Sequence, residues 1–426
     1  MRRLRATLGA PFAVLGALIV VLGAASAAQA AKRATPRAAL SGSLASGIRD
    51  SGGASGGYVM DLNTGKALFS SAANTPRLPA SVEKLYTTST ALLRFGPNTS
   101  LTTSVLGRGR LDPVGRWTGT LYLKGGGDPT FGSASFDHFA YGGGATIQRL
   151  VANLVRSTGI TSIKGRVVGD ESYFDSLRGT PATGYGFSTD VEGSLSALVF
   201  NRGLINSGTA HVLHPAVFAA QQFVAALKAA HVKVAPHTKI GAAVAPVSAR
   251  RLTLVHSPRM ATLVKLTNTP SDNFFAETLI KDIGARFGSG GTTLAGASVV
   301  RSEVAAEFGI HPRLNDGSGL SRSDLTSPRD VVALLTKMAA NSAFVSSLAV
   351  AGQTGTLQTE MRGTVAQGRC QGKTGTLHDV ANLAGYCQAA DGHTLAFAFM
   401  MNGVSNPDAA HNLEADMAVS VAKYNG

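Results

Sequence analysis

Hydrophobic and polar residues alternate near both ends of the chain, whereas the middle follows a helical spacing. Alternating stretches over residues 58–62 and 66–69 flank Asn63-Thr64-Gly65, a turn-forming trio, and predict an antiparallel hairpin. Three further alternating stretches predict an antiparallel meander near the C terminus, over residues 370–376, 383–388 and 394–400.

Between these strands the spacing of apolar residues predicts helices. One begins near Ser81 and continues to Leu92, where Gly96 and Pro97 soon follow. The others are predicted over residues 260–267, 272–283, 292–308, 328–340 and 407–423. Strands at both ends with helices between them imply that the two ends share one sheet, an α+β arrangement.

Residues 98–256 differ from the rest of the chain in their pattern of glycines and apolar residues. They form short, glycine-punctuated strand patterns, interrupted by helical patterns over residues 145–156 and 215–230. The sequence therefore predicts a main domain of residues 58–97 and 257–426, with inserted accessory domain material between its two parts.

The first 30 residues have the three parts of an export signal. These are a positive start, an apolar run and a small-residue cleavage site, at Arg2, Arg3 and Arg5, at residues 10–24 and at Ala28-Gln29-Ala30. Cleavage is the expected outcome, and a retained anchor helix is the alternative. Residues 31–57, rich in Ala, Ser and Gly, are predicted to be a flexible lead-in.

Composition narrows the class of protein. The chain of 426 residues has 44% hydrophobic residues, enough to bury a sizeable core, and a formal net charge of +14. The positive charges are scattered singly, without the basic runs and neighbouring aromatics of nucleic-acid binding, so no nucleic-acid partner is expected. An anionic extracellular setting such as a cell wall suits this charge.

The two cysteines, Cys370 and Cys387, lie in two neighbouring predicted strands. A tight turn at His378 and Asp379 would bring them opposite each other. In an exported protein such a pair can form a disulfide, and two buried free thiols are the alternative that the sequence leaves open.

Three short motifs in a fixed order carry the candidate chemistry. Ser81 and Lys84 form an S-x-x-K at a predicted helix start, where residues three apart share a face and the amine can reach the hydroxyl. A lysine can activate a serine only if burial or nearby cations keep its amine partly neutral. A second match at Ser420 and Lys423 has nothing after it to complete a site.

The other two motifs follow in the sequence. Ser271-Asp272-Asn273 is an S-x-N that supplies a hydroxyl for proton relay and an amide to hold a substrate carbonyl. Lys373-Thr374-Gly375 is a K-T-G, which on an edge strand offers a cation and a hydroxyl to a carboxylate. Its glycine lets a substrate backbone lie close.

The chain resembles the class C low-molecular-mass penicillin-binding proteins, the D-alanyl-D-alanine carboxypeptidase/endopeptidase family. Longer blocks share the resemblance, at Leu78-Pro79-Ala80-Ser81, Gly125-Gly126-Gly127-Asp128-Pro129, Asp316-Gly317-Ser318-Gly319-Leu320-Ser321 and Lys373-Thr374-Gly375-Thr376-Leu377. It covers nearly the whole chain after the signal. That family also carries additional domains between S-x-x-K and S-x-N, and residues 85–270 separate the two motifs here.

The resemblance implies a penicillin-binding/β-lactamase-like transpeptidase fold, in which helices flank an antiparallel sheet and form a second lobe, with inserted β-rich material. Ser81 would be acylated, with Lys84 as its base, while Ser271 and Asn273 relay protons and orient substrate. The substrate carboxylate would bind at Lys373, Thr374, Gly375 and Thr376. Backbone N–H groups of Ser81 and Thr376 would form the oxyanion hole.

The resemblance also implies what the enzyme acts on. Its substrates would be peptidoglycan stem peptides ending in D-Ala-D-Ala, with endopeptidase activity where the leaving amine belongs to a cross-link. β-Lactams would be covalent inhibitors, and no cofactor or metal is expected. The protein would work outside the cytoplasm, with association to the wall or membrane left open.

Two positions depart from the family pattern. Thr269 stands between Asn268 and Pro270 where a lysine is usual, so a nearby cation is missing. Thr354 stands where an aspartate is usual. Either change could alter rate or substrate preference without touching the three motifs.

Other readings have weaker support in the sequence. Ser55 lies in a G-x-S-x-G, but the strand-turn-helix context of a hydrolase nucleophile is missing. The histidines are dispersed without a metal-binding motif, and the glycines at 125–127 lack the G-K-[ST] ending of a phosphate loop. A catalytically silent wall-binding scaffold and a secreted serine β-lactamase remain as alternatives.

Overall fold

The computed structural model describes residues 35–205 and 210–426, so the predicted signal at residues 1–30 lies outside the described residues. The strands are β1 (Ala54–Asp61), β2 (Lys66–Ser71), β3 (Ser100–Leu111), β4 (Arg116–Lys124), β5 (Ser162–Asp170), β6 (Leu204–Ile205), β7 (Ala210–His211), β8 (Lys233–Val234), β9 (Lys239–Ala242), β10 (Arg250–Arg259), β11 (Ala349–Val350), β12 (Cys370–Leu377), β13 (Val380–Gln388) and β14 (Thr394–Asn402). The helices are α1 (Pro36–Asp50), α2 (Lys84–Phe95), α3 (Ala134–Tyr141), α4 (Ile147–Thr158), α5 (Pro215–Ala229), α6 (Met260–Asn268), α7 (Asn273–Phe287), α8 (Thr293–Phe308), α9 (Pro328–Met338), α10 (Ser342–Val345) and α11 (Pro407–Ala422).

The main sheet joins the two ends of the chain, as the α+β prediction requires. Its six strands run in the order β11-β12-β13-β14-β1-β2, and every neighbouring pair is antiparallel. Strand β1 pairs with β14 from Ala54 opposite Asn402 to Asp61 opposite Leu395. The first and last strands of the main domain are therefore neighbours inside one sheet.

Each face of this sheet buries its own apolar core. On one face, Leu85 of α2, Phe275 of α7 and Val300 of α8 are fully buried in a cluster that includes Met400 of β14. On the other face, helices α1 and α11 cover Phe397 and its neighbours. Burying a large aliphatic or aromatic side chain stabilises the fold by about 1.5–3 kcal/mol, so both layers hold the sheet in place.

The predicted lead-in of residues 31–57 differs from the structure, because helix α1 and the start of β1 occupy most of it. The Thr35 hydroxyl caps α1 by accepting a hydrogen bond from the Ala38 N–H at 3.3 Å. Leu40, Leu44 and Gly47 form a buried stripe at spacings of four and three residues. The small-residue composition suggested flexibility, but it also allows this close helix packing.

Gly47 lets α1 lie close to helix α11. A side chain there would put a Cβ 2.6 Å from the Met417 sulfur of α11, so the methionine would have to move. The Ser43 hydroxyl lies 2.8 Å from that of Ser420, which adds a polar contact between the same two helices. Ser420, part of the second S-x-x-K match, thus takes part in helix packing.

The cysteines face each other across β12 and β13. Cys370 is directly opposite Cys387 in the strand register, and a disulfide joins them. Both are buried in the core beneath α11. Of the two alternatives that the sequence left open, the structure has the disulfide.

Residues 100–259 supply the second sheet, in the order β10-β3-β4-β5-β8, with β9 also pairing with β5. Strand β4 pairs with β5 in parallel, so this inserted part is a mixed sheet. Helices α4 and α5 pack on it through buried Leu150 and Phe223. Strand β10 ends at Arg259, three positions beyond the predicted limit of residue 256, and α6 follows directly.

Among the described residues, no helix is long and apolar enough to cross a membrane.

We expect Leu44→Ala to lower the free energy of unfolding by about 2–5 kcal/mol, the usual cost of emptying a buried leucine site. The exposed residue Arg49 of the same helix offers a control, and Arg49→Ala should change stability by less than about 0.5 kcal/mol. Urea unfolding of both variants measures the difference. Equal, small effects would show that α1 is not packed in solution.

Candidate active site

Ser81 lies on a tight turn between the main sheet and helix α2. It belongs to a one-turn 3-10 helix, Ala80–Glu83, that directly precedes α2. The Asn382 side chain of β13 donates hydrogen bonds to the Leu78 and Pro79 carbonyls at 2.9 and 2.7 Å. Ala80 adopts a positive φ of 47°, a strained value that this anchoring sustains.

Lys84 occupies the first turn of α2, and its amine is completely buried. The Nζ atom lies 2.7 Å from Ser81 Oγ, 2.6 Å from Asn273 Oδ1 and 3.0 Å from the Ser318 carbonyl. A neutral amine has two N–H donors and one lone pair. Because the two carbonyl oxygens can only accept, they take both donors and leave the lone pair facing the Ser81 hydroxyl.

The surroundings of Lys84 keep part of its amine neutral. Burial lowers its pKa to about 8, against the opposing charges of Asp316, Glu277, Asp272 and Glu192. A base whose pKa lies close to neutrality can both accept the serine proton and return it. The geometry and the protonation of Lys84 therefore suit general-base chemistry on Ser81.

The S-x-N motif starts helix α7 beside Lys84. The Asp272 side chain caps the helix, accepting from the Phe275 N–H at 2.9 Å, which orients Asn273 in the first turn. Ser271 adopts a left-handed φ of 68° just before the cap. Among the described residues its hydroxyl makes no hydrogen bond to Ser81 or Lys84, so its proton-relay role stays a prediction.

The inserted part reaches this motif directly. Arg202 holds Asp272 with two hydrogen bonds of 2.7 and 3.0 Å, and its guanidinium lies 4.9 Å from the Phe274 ring centroid. The Asp190 carbonyl accepts from Asn273 Nδ2 at 2.7 Å. Sequence reasoning missed these contacts because nothing in the pattern links positions so far apart.

The buried loop at residues 316–321 lies beside Lys84 and is held by two carboxylates, Glu277 of α7 and its own Asp316. Glu277 Oε1 accepts from the backbone N–H groups of Gly317 and Ser318, both at 2.9 Å. Asp316 also accepts from the Ser318 N–H, and it accepts from two further N–H groups of the same loop, those of Gly319 and Ser321. These bonds fix the Ser318 carbonyl that receives the Lys84 amine. Sequence patterns singled out the D-G-S-G-L-S block at residues 316–321, but they did not predict that this block holds the carbonyl beside Lys84.

The K-T-G motif lies on β12 beyond the short pairing with β11, which involves only Ala349 and Val350. Lys373 is buried, with its Nζ 2.9 Å from the Thr374 carbonyl, and burial together with the Lys84 charge lowers its pKa. A Cβ at Gly375 would lie 2.6 Å from the Pro79 carbonyl. Glycine is therefore required for β12 to pass this close to the Ser81 turn.

The two threonines of this strand face a cavity of about 380 Å³ between β12, residues 356–361 and helix α11. Thr374 Oγ1 lies 2.9 Å from Thr356 Oγ1, and Thr376 Oγ1 lies 2.7 Å from Nε2 of His411 on α11. No sequence pattern pointed to His411, since only the fold brings helix α11 and strand β12 together.

The departures from the family pattern have local roles. The Thr269 hydroxyl donates to the Ser347 carbonyl at 2.7 Å, and the Thr269 carbonyl accepts from the Thr356 N–H at 3.2 Å. The Thr354 hydroxyl accepts from the Val350 N–H at 3.0 Å and closes its own turn. Both threonines shape the loop that ends at the cavity.

The competing serine has no such surroundings. Ser55 lies inside strand β1, where its hydroxyl accepts from that of Ser51 at 2.7 Å and its carbonyl receives the Arg77 guanidinium at 2.8 Å.

Among the described residues, the one cluster of three close potential metal ligands is Glu83, Asp316 and Asp324. All three are buried, and burial raises the pKa of each, so shared protons suit this cluster.

Comparison with known proteins extends over nearly the whole chain. Residues 40–197 and 188–424 match the model of the D-Ala-D-Ala carboxypeptidase 3 (S13) family. A D-alanyl-D-alanine carboxypeptidase of Actinomadura sp. (strain R39) is 29% identical over 460 residues, covering 88% of this chain and 82% of that protein.

Solved structures share the fold at low identity. Penicillin binding protein 4 of Haemophilus influenzae aligns with a TM-score of 0.74 at 19% identity, over 90% of this chain and 99% of that one. A predatory peptidoglycan endopeptidase of Bdellovibrio bacteriovorus aligns with a TM-score of 0.57 at 18% identity, over 87% and 92% of the two chains. At these identities the likeness shows the architecture alone.

We expect the rate at which benzylpenicillin acylates Ser81 to rise with pH and to level off above about 8. The reason is that Lys84, whose pKa burial lowers to about 8, accepts a proton only when neutral. Lys84→Ala should slow acylation by roughly 10² or more and remove this pH limb. Stopped-flow or mass-spectrometric acylation rates between pH 6 and 10 measure both effects.

Lys281 offers the matched control, because it too is a buried lysine, paired with Asp175 at 2.6 Å. Lys281→Met should leave the position of the limb unchanged. A limb that persists in Lys84→Ala, or near-normal acylation in that variant, would remove Lys84 from the mechanism.

Proposed function

The chain belongs to the D-Ala-D-Ala carboxypeptidase 3 (S13) family, and on that premise we propose that it removes the terminal D-Ala of peptidoglycan stem peptides through an acyl-enzyme on Ser81. It is a hydrolase with a transpeptidase-like fold. The observation that carries the proposal is the contact of Ser81 Oγ with the buried Lys84 amine at 2.7 Å.

The first step forms the acyl-enzyme. Lys84 Nζ takes the proton of the Ser81 hydroxyl as Oγ bonds to the carbonyl carbon of the penultimate D-Ala. The C–N bond then breaks, and the leaving amine of the terminal D-Ala receives a proton from Lys84. Asn273, whose oxygen accepts from Lys84 at 2.6 Å, keeps the amine directed at Ser81 throughout.

The second step regenerates the enzyme. A water molecule gives a proton to Lys84 and attacks the ester carbonyl, and Ser81 leaves with that proton returned to its oxygen. The backbone N–H groups of Ser81 and Thr376 are proposed to stabilise the oxyanion in both steps. Lys373, Thr374 and Thr376 are proposed to hold the terminal carboxylate.

The same chemistry cleaves cross-links when the leaving amine belongs to a neighbouring stem peptide. The fold shared with a peptidoglycan endopeptidase supports this second activity. β-Lactams are proposed to acylate Ser81 in the same way. The chain shares its fold with penicillin binding protein 4 of Haemophilus influenzae in complex with a novel β-lactam, which supports this proposal. That structure aligns with a TM-score of 0.70 at 18% identity, over 90% of this chain and 99% of that one.

We propose an extracytoplasmic site of action. The supporting observations are the arginine-rich start, the apolar run and the cleavage site in residues 1–30, together with the net charge of +14. A positive surface favours residence among anionic wall polymers.

We expect a fluorescent penicillin to label the purified protein covalently, and Ser81→Ala to abolish the label. Ser55→Ala is the matched serine control and should be labelled like the natural chain. Release of free D-Ala from a pentapeptide, and of monomers from a cross-linked dimer, measures the two peptidase activities with the same variants.

The labelling experiment also separates the alternative functions. A silent scaffold would remain unlabelled, which would contradict the proposal. Hydrolysis of the penicilloyl adduct within seconds would identify a β-lactamase instead, whereas an adduct that persists for minutes or longer supports the peptidase.

A further inference from the structure

Thr376, the residue after the K-T-G motif, is hydrogen-bonded to a histidine-carboxylate pair on helix α11. His411 Nε2 lies 2.7 Å from Thr376 Oγ1, and His411 Nδ1 lies 2.8 Å from Glu414 Oε2. Glu414 is 1% exposed, whereas Thr376 is exposed and lines the cavity beside α11. A chain of three polar groups therefore runs from a buried carboxyl to the edge of the active site.

The number of protons on the pair sets the direction of the bond to Thr376. When Glu414 and His411 together carry no net charge, Nε2 holds a hydrogen, whether the other proton lies on Nδ1 or on the carboxyl. Nε2 then donates to Thr376 Oγ1, and the threonine hydrogen is free to point into the cleft. When the pair has lost that proton, Nε2 must accept the threonine hydrogen instead.

We propose that the Glu414–His411 pair is a positioning device that makes Thr376 a hydrogen-bond donor to the substrate carboxylate when it is net neutral. The proposal rests on the function proposed above. His411 does not touch the substrate and acts through Thr376 alone. Loss of the proton turns Thr376 into a group that presents only lone pairs to a carboxylate, which weakens recognition of anionic substrates.

The surroundings of His411 favour the protonated pair. Burial opposes a charged ring, but the hydrogen bond to Glu414 and the charges of Glu414, Glu360 and Asp408 outweigh it and raise the pKa of His411. Burial raises the pKa of Glu414 to about 7, with His411 opposing.

Among the described residues lining the cavity, the titratable groups are Glu360, which follows the turn at residues 355–357, and Asp408, His411 and Glu414 on α11. Strands β12 and β13 contribute the uncharged Thr374, Thr376 and Leu383 to the lining. Lys373 of β12 is buried near the Lys84 charge. Because Lys373 is proposed to bind the same substrate carboxylate, its titration also affects carboxylate recognition.

The test compares benzylpenicillin with its methyl ester, which lacks the carboxylate but reacts by the same chemistry. The ratio of their Ser81 acylation rate constants isolates carboxylate recognition, because the titration of Lys84 affects both substrates alike. In the natural chain this ratio should fall as pH rises above the pKa of the pair. His411→Gln, which cannot change its protonation, should lower the ratio roughly tenfold near neutral pH, the scale of one hydrogen bond to a charged group. It should also remove the part of the pH dependence that comes from the pair, leaving only that of Lys373.

Two further variants make the assignment specific. Thr376→Val should reduce the ratio like His411→Gln, and combining the two should cause no further loss. If His411→Gln does not fold, the ratio measured in Thr376→Val still tests the proposal. His393 pairs with Asp61 at 2.9 Å outside this cavity, so His393→Gln is the matched control and should leave the ratio unchanged.

The outcomes separate this inference from the function itself. A similar loss with both substrates, an unchanged ratio in His411→Gln, or additive losses in the double variant would each overturn the role of the pair. Failure of both β-lactams to acylate Ser81 in the natural chain would instead overturn the proposed function.

Discussion

The burial of one lysine amine is the constraint on which the site depends. Lys84 is withdrawn from water into a cage formed by Ser81, Asn273 and the Ser318 carbonyl. Desolvation would be unfavourable for a charged amine, and the fold resolves this by keeping the amine partly neutral and giving each of its hydrogens an acceptor. The charges of Asp316, Glu277, Asp272 and Glu192 limit how far the pKa of Lys84 falls, so the base is neither always charged nor too weak.

Sequence patterns predicted the main sheet, most helices and the placement of the three motifs at helix starts and on a strand, because these depend on local spacing. Ser81 and Lys84 lie one helical turn apart, so their contact follows from geometry within one segment. The contact between Lys84 and Asn273 needed the fold. The neighbours of the motifs, such as Asn382, Arg202 and His411, gave no signal, since only tertiary packing brings them to the site.

Helix α1 shows how composition can mislead. A segment rich in Ala, Ser and Gly resembles a linker, yet small residues are also what a helix needs to lie close to another helix. The spacing of Leu40, Leu44 and Gly47 carried the correct signal, but it spans only two turns in a segment of low overall hydrophobicity. The role of the Ser271 hydroxyl stays a prediction for a different reason. It is expected to pass a proton during the reaction, and the position of the residue alone does not show this.

The pairing of β1 with β14 determines when the site can exist during synthesis. A chain that leaves the ribosome N terminus first presents Ser81 and Lys84 early, whereas β12, β13 and β14 follow only after residue 369. Until they emerge, the Leu78 and Pro79 carbonyls lack Asn382, and strand β1 lacks its central partner. Such long-range pairing is slow to form. A chain that ends before β13 and β14 therefore lacks the contacts that hold the Ser81 turn and strand β1 in place.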